Sequence, residues 1–127
     1  MHKYQDLKLW NKSMELVVAI YEVTTGFPKE EKYGLISQMR RCAVSISSNI
    51  AEGAGRNSNK EFIHFLAIAN GSTYELETQV IVANRLKLLT DDDCSNLCQQ
   101  LIEIQKMNYN FQSHLSEKVK GKQNANY

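Results

Sequence analysis

A chain of 127 residues that is 43% hydrophobic, with one proline and six glycines, is large enough for one domain with a real core, too apolar for disorder and too poor in turn residues for an all-β fold. A formal charge of +1 argues against a strongly basic nucleic-acid binder, and no apolar run approaches the roughly 18 residues that a membrane span needs. Cys42, Cys94 and Cys98 form no even-numbered disulfide framework, and Met1-His2-Lys3-Tyr4-Gln5-Asp6 starts no signal peptide, so a reduced, cytoplasmic chain is expected.

The first predicted helix spans about residues 7–25. Leu7, Trp10, Met14, Val17 and Tyr21 recur every three or four residues, Asp6 is placed to cap the start, and Gly26-Phe27-Pro28 stops the helix. A second apolar stripe, Leu9, Leu16, Ile20, Val23 and Phe27, runs beside the first, and 16–21 is apolar all round. A helix that is apolar all round is buried on both sides. Leu9, Leu16, Val18, Ile20 and Val23 are therefore candidates for a subunit interface, the alternative being a monomer with one apolar-rich helix.

A second helix over about 31–52 carries the stripe Leu35, Met39, Cys42, Ile46 and Ile50, and ends at Gly53-Ala54-Gly55. A third, about 58–88, opens on Ser58-Asn59-Lys60-Glu61, the S-x-x-E pattern in which side chains satisfy orphan backbone donors. Its stripe is Phe62, Phe65, Ala69, Leu76, Val80, Ala83 and Leu86. A fourth, about 91–117, starts after Thr90 with Asp91, Asp92 and Asp93 at the positive end of the helix dipole. Cys94, Leu97, Leu101, Ile104, Phe111 and Leu115 form its stripe, with Asn108 in the seam, and the tail 118–127 is expected to fray. Short connections make neighbours antiparallel, which gives an all-α, up-down-up-down four-helix bundle as a single domain over residues 1–127.

Charge is uneven along this frame. Residues 1–32 carry five basic and five acidic groups; residues 33–60 carry Arg40, Arg41, Arg56 and Lys60 against Glu52 alone. Residues 61–117 carry three basic and eight acidic groups, and the tail adds Lys118, Lys120 and Lys122. An anion-binding face would draw on the second quarter of the chain or on the tail.

Catalytic constellations are thin. Di-iron bundles need two Glu-x-x-His pairs and two further glutamates, and Glu61-Phe62-Ile63-His64 is the one such pair here. Cys94 and Cys98 are one turn apart, but two ligands do not close a zinc site, and small cysteines in an apolar seam fit better. With a turn centred near residue 55 or 56, antiparallel pairing sets Ser47 level with His64, where no acidic side chain orients the imidazole. The same register puts Arg40 and Arg41 level with Gly71 and Asn70, and Glu75 one turn on. One arginine is expected to pair with Glu75; the alternative is an exposed arginine pair on nucleic acid. Gly71, near Ala67, Ala69 and Ser72, is expected to let helices approach closely. The stretch 52–60, glycine-rich with Arg56 and Lys60 at a helix start, is either a plain cap and turn or a phosphate contact, and it lacks the Gly-Lys-Ser/Thr ending of a phosphate loop.

Several segments, in order, resemble one family. They are Asp6-Leu7 with Trp10; Gln38-Met39-Arg40-Arg41-Cys42-Ala43-Val44-Ser45-Ile46; Ser48-Asn49-Ile50-Ala51-Glu52-Gly53 with Gly55-Arg56; Lys60-Glu61-Phe62; Ala69 with Gly71-Ser72; and Tyr74-Glu75-Leu76-Glu77. The pattern, over about residues 4–115, is similar to the four-helix-bundle proteins named after open reading frames in 23S rRNA intervening sequences. The resemblance implies an antiparallel bundle that assembles into a ring, typically a pentamer, and supplies no catalytic residue. A related group, the accessory proteins of diversity-generating retroelements, is strongly basic and acts with RNA; this chain departs from it in its near-neutral charge.

The expectation is thus a non-enzymatic homo-oligomer without metal, cofactor or small-molecule substrate. Arg40, Arg41, Arg56 and Lys60 are candidates to contact RNA, or the ring meets an RNA-associated protein. The alternative is a protein-interaction scaffold whose arginines are used in intrachain pairs.

Overall fold

The computed structural model describes residues 2–125, apart from the side chains of Lys32 and of residues 122–125. Four helices dominate it: α1 (Lys8–Thr25), α2 (Ser37–Ala54), α3 (Asn59–Arg85) and α4 (Asp91–Ala125). Consecutive helices pack side by side, and α1 closes the bundle against α4. Every pairing is antiparallel, because early residues of one helix meet late residues of the next. Ser13 meets Ser47 while Thr24 meets Arg40, and Gly53 lies under Phe62 while Cys42 bonds to Ser72. Asn84 reaches Asp91 while Leu66 reaches Asn108, and Lys12 pairs with Glu103 at 3.4 Å. This is the expected all-α up-down-up-down bundle.

The caps show why the helices start and stop where they do. Leu7, not Asp6, is the N-cap of α1, and no side chain caps it. Asn11 Nδ2 instead donates to the carbonyls of Leu7 and Gln5, each at 3.0 Å. The second helix is regular only from Ser37. Before it, Lys29–Glu31 form a 3₁₀ turn and Lys32–Ile36 a π-helical turn, kinked at Gly34 (φ −103°, ψ −109°). At α3 the Ser58 hydroxyl accepts from the Glu61 backbone N–H and donates to its carboxylate, both at 3.2 Å. That helix ends with Lys87 in the left-handed region (φ 61°), where Lys87 N–H donates to Asn84 O and Leu88 N–H to Ala83 O, the Schellman arrangement. Thr90 Oγ1 then caps α4 by accepting from Asp93 N–H at 3.1 Å. The last helix, α4, runs on to Ala125. Residues 126–127 lie outside the described residues.

The core is built from Leu9, Leu16, Ile20, Met39, Ile46, Ile50, Phe62, Leu66, Leu76, Leu97, Leu101, Ile104 and Leu115. Each such side chain, once buried, contributes roughly 1.5–3 kcal/mol. Asn108 is fully buried among them but satisfied: its Nδ2 donates to Leu66 O at 3.0 Å and its Oδ1 accepts from Gln112.

One correction concerns α1. Leu9, Leu16 and Ile20, expected at a subunit interface, are buried in the chain's own core, and Phe27 with them. Val23 packs half-buried against that core, and only Val18 of the interface candidates is exposed. The inward face also carries Ser13 and Thr24, whose hydroxyls donate to Trp10 O at 2.6 Å and Ile20 O at 2.7 Å. Local hydroxyl bonds of this kind let polar residues sit inside a seam. Of the other stripe, Leu7, Trp10 and Val17 pack half-buried against the core's edge, and Met14 and Tyr21 turn outward.

Candidate interaction site

The outward turn of that stripe makes a surface. Met14, Val18 and Tyr21 of α1 and Val44 of α2 are exposed, and Val18 is 55% open to solvent. Between the two helices runs an apolar groove of ≈ 310 Å³, lined by Tyr4, Trp10, Met14, Val17 and Val44. The Tyr4 and Trp10 rings meet edge to face, 5.0 Å apart.

A second apolar face lies on α3 and α4, across the bundle from the first. It presents Tyr74, Ile81, Ile102 and Tyr109, the last 72% exposed. A groove of ≈ 500 Å³ there is lined by Asn70, Tyr74, Ile102, Lys106 and Tyr109 among others. Asn70 Oδ1 is buried without a hydrogen-bond partner. The stripe expectations passed over this face. Its signal is the seven-residue spacing of Tyr74 to Ile81 and of Ile102 to Tyr109, two helical turns along one side.

The basic candidates do not come together. Arg40 is half-buried at the α1–α2 seam: its Nε donates to Thr24 Oγ1 at 2.8 Å, another nitrogen to Tyr21 O at 3.3 Å, and its guanidinium lies 4.5 Å from the centre of the Tyr21 ring. Among the described residues no ion pair joins Arg40 or Arg41 to Glu75, which corrects that expectation. Arg40 points to α1, not α3. Arg41 and Glu75 share the lining of a polar pocket of ≈ 190 Å³ with Cys42, Ser45 and Ser72. Arg56 donates to Glu52 at 3.0 Å and lies over the Phe65 ring at 4.7 Å. Lys60 is exposed on the first turn of α3. Arg40 and Arg56 are separated by 16 positions, which is about 24 Å of helix.

Nor do the nucleophile candidates assemble. Ser47 bonds to Ser13 at 2.8 Å on the α1 side of α2, whereas His64 is exposed beside Phe65. The Cys42 thiol donates to Ser72 O at 3.1 Å; burial, and then the negative charge of Glu75, push it up to about 12. Burial, and then Cys94, push the Cys98 thiol up to about 11. Among the described residues no three His, Cys, Asp or Glu side chains group as metal ligands, and no helix is long and apolar enough to cross a membrane.

Fold and surface define a small antiparallel helix bundle with an apolar face on each of two sides. The chain belongs to the 23S rRNA-intervening sequence protein family, whose model matches residues 5–110. It is similar to a crystal structure of a protein with unknown function from the S23 ribosomal protein family of Bacteroides thetaiotaomicron VPI-5482. The two share 25% identity with a TM-score of 0.77, over 83% of this chain and 95% of that one. No curated protein matches the chain.

Proposed function

We propose that the chain is a non-catalytic scaffold that assembles with copies of itself into a closed ring through the outer face of α1 and α2. A pentamer is the size that the family resemblance implies. One observation carries the reading: Met14, Val18, Tyr21 and Val44 stand exposed together around an apolar groove, whereas exposed apolar residues on a monomer are ordinarily scattered. Aromatic and Met side chains are also the types enriched where proteins meet.

RNA contact is the second reading, and it narrows to Arg41 and Lys60. Both are exposed and neither has a carboxylate within ion-pair distance among the described residues, whereas Arg40 and Arg56 are engaged within the chain. Arg41 lies in the second turn of α2 and Lys60 on the first turn of α3, with the rest of α2, about 20 Å of helix, between them, so one chain offers a polyanion two separate points.

Light scattering on the purified chain tests the first reading. The expected mass is a fixed multiple of 14.5 kDa, falling to the monomer when Val18 and Tyr21 are both replaced by glutamate with helicity unchanged. A wild-type monomer at high concentration would end it. A labelled rRNA fragment should bind weakly; tight, salt-sensitive binding lost in Arg41→Ala with Lys60→Ala would put the RNA reading first.

A further inference from the structure

We infer that Cys94 and Cys98 of α4 form a two-coordinate site for a soft monovalent cation, copper(I). The site is independent of the self-assembly reading and lies in a different part of the molecule.

The helix places the pair. Residues four apart lie one above the other on one face, with Cβ atoms about 5–6 Å apart. Both side chains are half-buried, packed on the core's edge yet open to an arriving ion, whereas Cys42 is buried. The Cys42 thiol is also engaged, donating to Ser72 O. Among the described residues neither Cys94 nor Cys98 donates to a backbone carbonyl; the thiol of Cys98 meets that of Cys94.

Distance decides what the pair can hold. A disulfide needs Cβ atoms about 3.5–4.5 Å apart, closer than this spacing gives. Thiolate bonds to a metal such as zinc run about 2.3 Å, so a linear sulfur–metal–sulfur unit spans about 4.6 Å. Sulfurs carried on these two carbons reach that span with the helix intact.

Ligand number decides which ion. Among the described residues no third His, Cys, Asp or Glu side chain joins the pair, so the four-ligand shell of zinc is not offered. Thiolates are soft ligands that select copper(I), and this filled-shell ion is satisfied by two of them on a line. Glu77 on α3 is the charged group that acts on Cys98, and its Oε1 accepts from Gln105 Nε2 at 3.0 Å. Its charge opposes a bare thiolate and attracts the cation. Binding breaks two S–H bonds, forms two Cu–S bonds, releases two protons to solvent and moves no electron.

Titration of the full chain with copper(I), without oxygen and against the chelator bicinchoninate, tests the site. One ion per chain is expected, with the X-ray absorption edge of two-coordinate copper and two sulfur neighbours. Cys94→Ser and Cys98→Ser should each lose the ion to the chelator, and Cys42→Ser should keep it. Circular dichroism checks each fold, and alanine replaces serine where a variant unfolds. Because two protons leave, the apparent affinity should rise by up to about a hundredfold per pH unit below the thiol range, against about tenfold for a single thiolate. A chain that yields all its copper to the chelator would overturn the site, as would a Cys94 or Cys98 variant that binds like wild type. One ion per two chains would also overturn it, since each copy would then supply one sulfur. Zinc held as tightly as copper(I) would do the same, because further ligands would then be in place.

Discussion

The two ends of the α2–α3 hairpin are sealed by different means. At the turn end, Gly53 lies so close under α3 that an added Cβ would sit 2.7 Å from Phe65 Cβ and 2.8 Å from Phe62 Cδ1. Phe62, Ala54 and Gly53 are buried there, and the Phe62 ring stacks edge to face on Phe111 at 5.2 Å. Three turns away, contact passes through polar atoms. Cys42 donates to Ser72 O, Ser45 and Ser72 share a hydroxyl bond at 3.1 Å, and Arg41 and Glu75 flank an open pocket. Close packing fixes the register near the turn, and hydrogen bonds carry it onward where the surface is wetter.

The polar end can be probed through Cys42. Its pKa is raised from 9.0 to about 12, so the neutral thiol is favoured and its reactive thiolate is roughly a thousandfold scarcer at pH 8 than for an ordinary cysteine. Alkylation followed by mass spectrometry should find Cys42 slower by at least about tenfold in the native chain than in denaturant, the greater nucleophilicity of a less acidic thiolate offsetting part of its scarcity. Glu75→Gln should recover only part of the rate, because burial is the larger cause and the Glu75 charge the smaller. Equal rates in native and unfolded protein would show that this end of the hairpin is open to solvent.

The sealed end should respond to volume. Gly53→Ala forces Phe62 or the α3 backbone to move, and overpacking of this kind costs about 1–3 kcal/mol. Urea unfolding would report it as a lower midpoint at unchanged slope. A neutral result would mean that α2 and α3 separate at the turn at no cost, and the contrast between the two ends would fail.

Much of the architecture was legible in the sequence because caps and stripes are local signals: Ser58 with Glu61, Thr90 before Asp93, and the Phe62–Ala69–Leu76 spacing all act within one or two turns. Which face of α1 turns inward was not legible. Two apolar stripes compete there, and the buried one contains Ser13 and Thr24, whose hydroxyls donate to carbonyls of their own helix and are bonded again across the seam, Ser13 by Ser47 and Thr24 by Arg40. Polarity along the chain therefore pointed the wrong way. The target of Arg40 was hidden for the same reason, since the α2–α3 register says nothing of the α1 side of α2. The tyrosine face on α3 and α4 was written in the sequence, but at seven-residue spacing outside the core stripe. Burial of polar groups and exposure of apolar ones are both decided between helices, where a one-helix pattern carries least information.

Gly71 is the smallest and most direct test of that lesson. Among Ala67, Ala69 and Ser72 it reads as a close-packing glycine, yet a Cβ built there meets nothing within 4 Å. It lies in the middle of α3 on an exposed position, in helical backbone that any residue adopts. What remains is the propensity cost of glycine, so Gly71→Ala should stabilise the fold by about 0.5–1 kcal/mol. The sign is opposite to that at Gly53, although both glycines sit inside helices of the same hairpin. A paired unfolding measurement of the two variants decides the matter. If Gly71→Ala destabilises a chain that is monomeric under the conditions used, α3 is packed on that side within the chain. If it stabilises the monomer but weakens the oligomer, the glycine's bare surface is kept for the neighbouring copy.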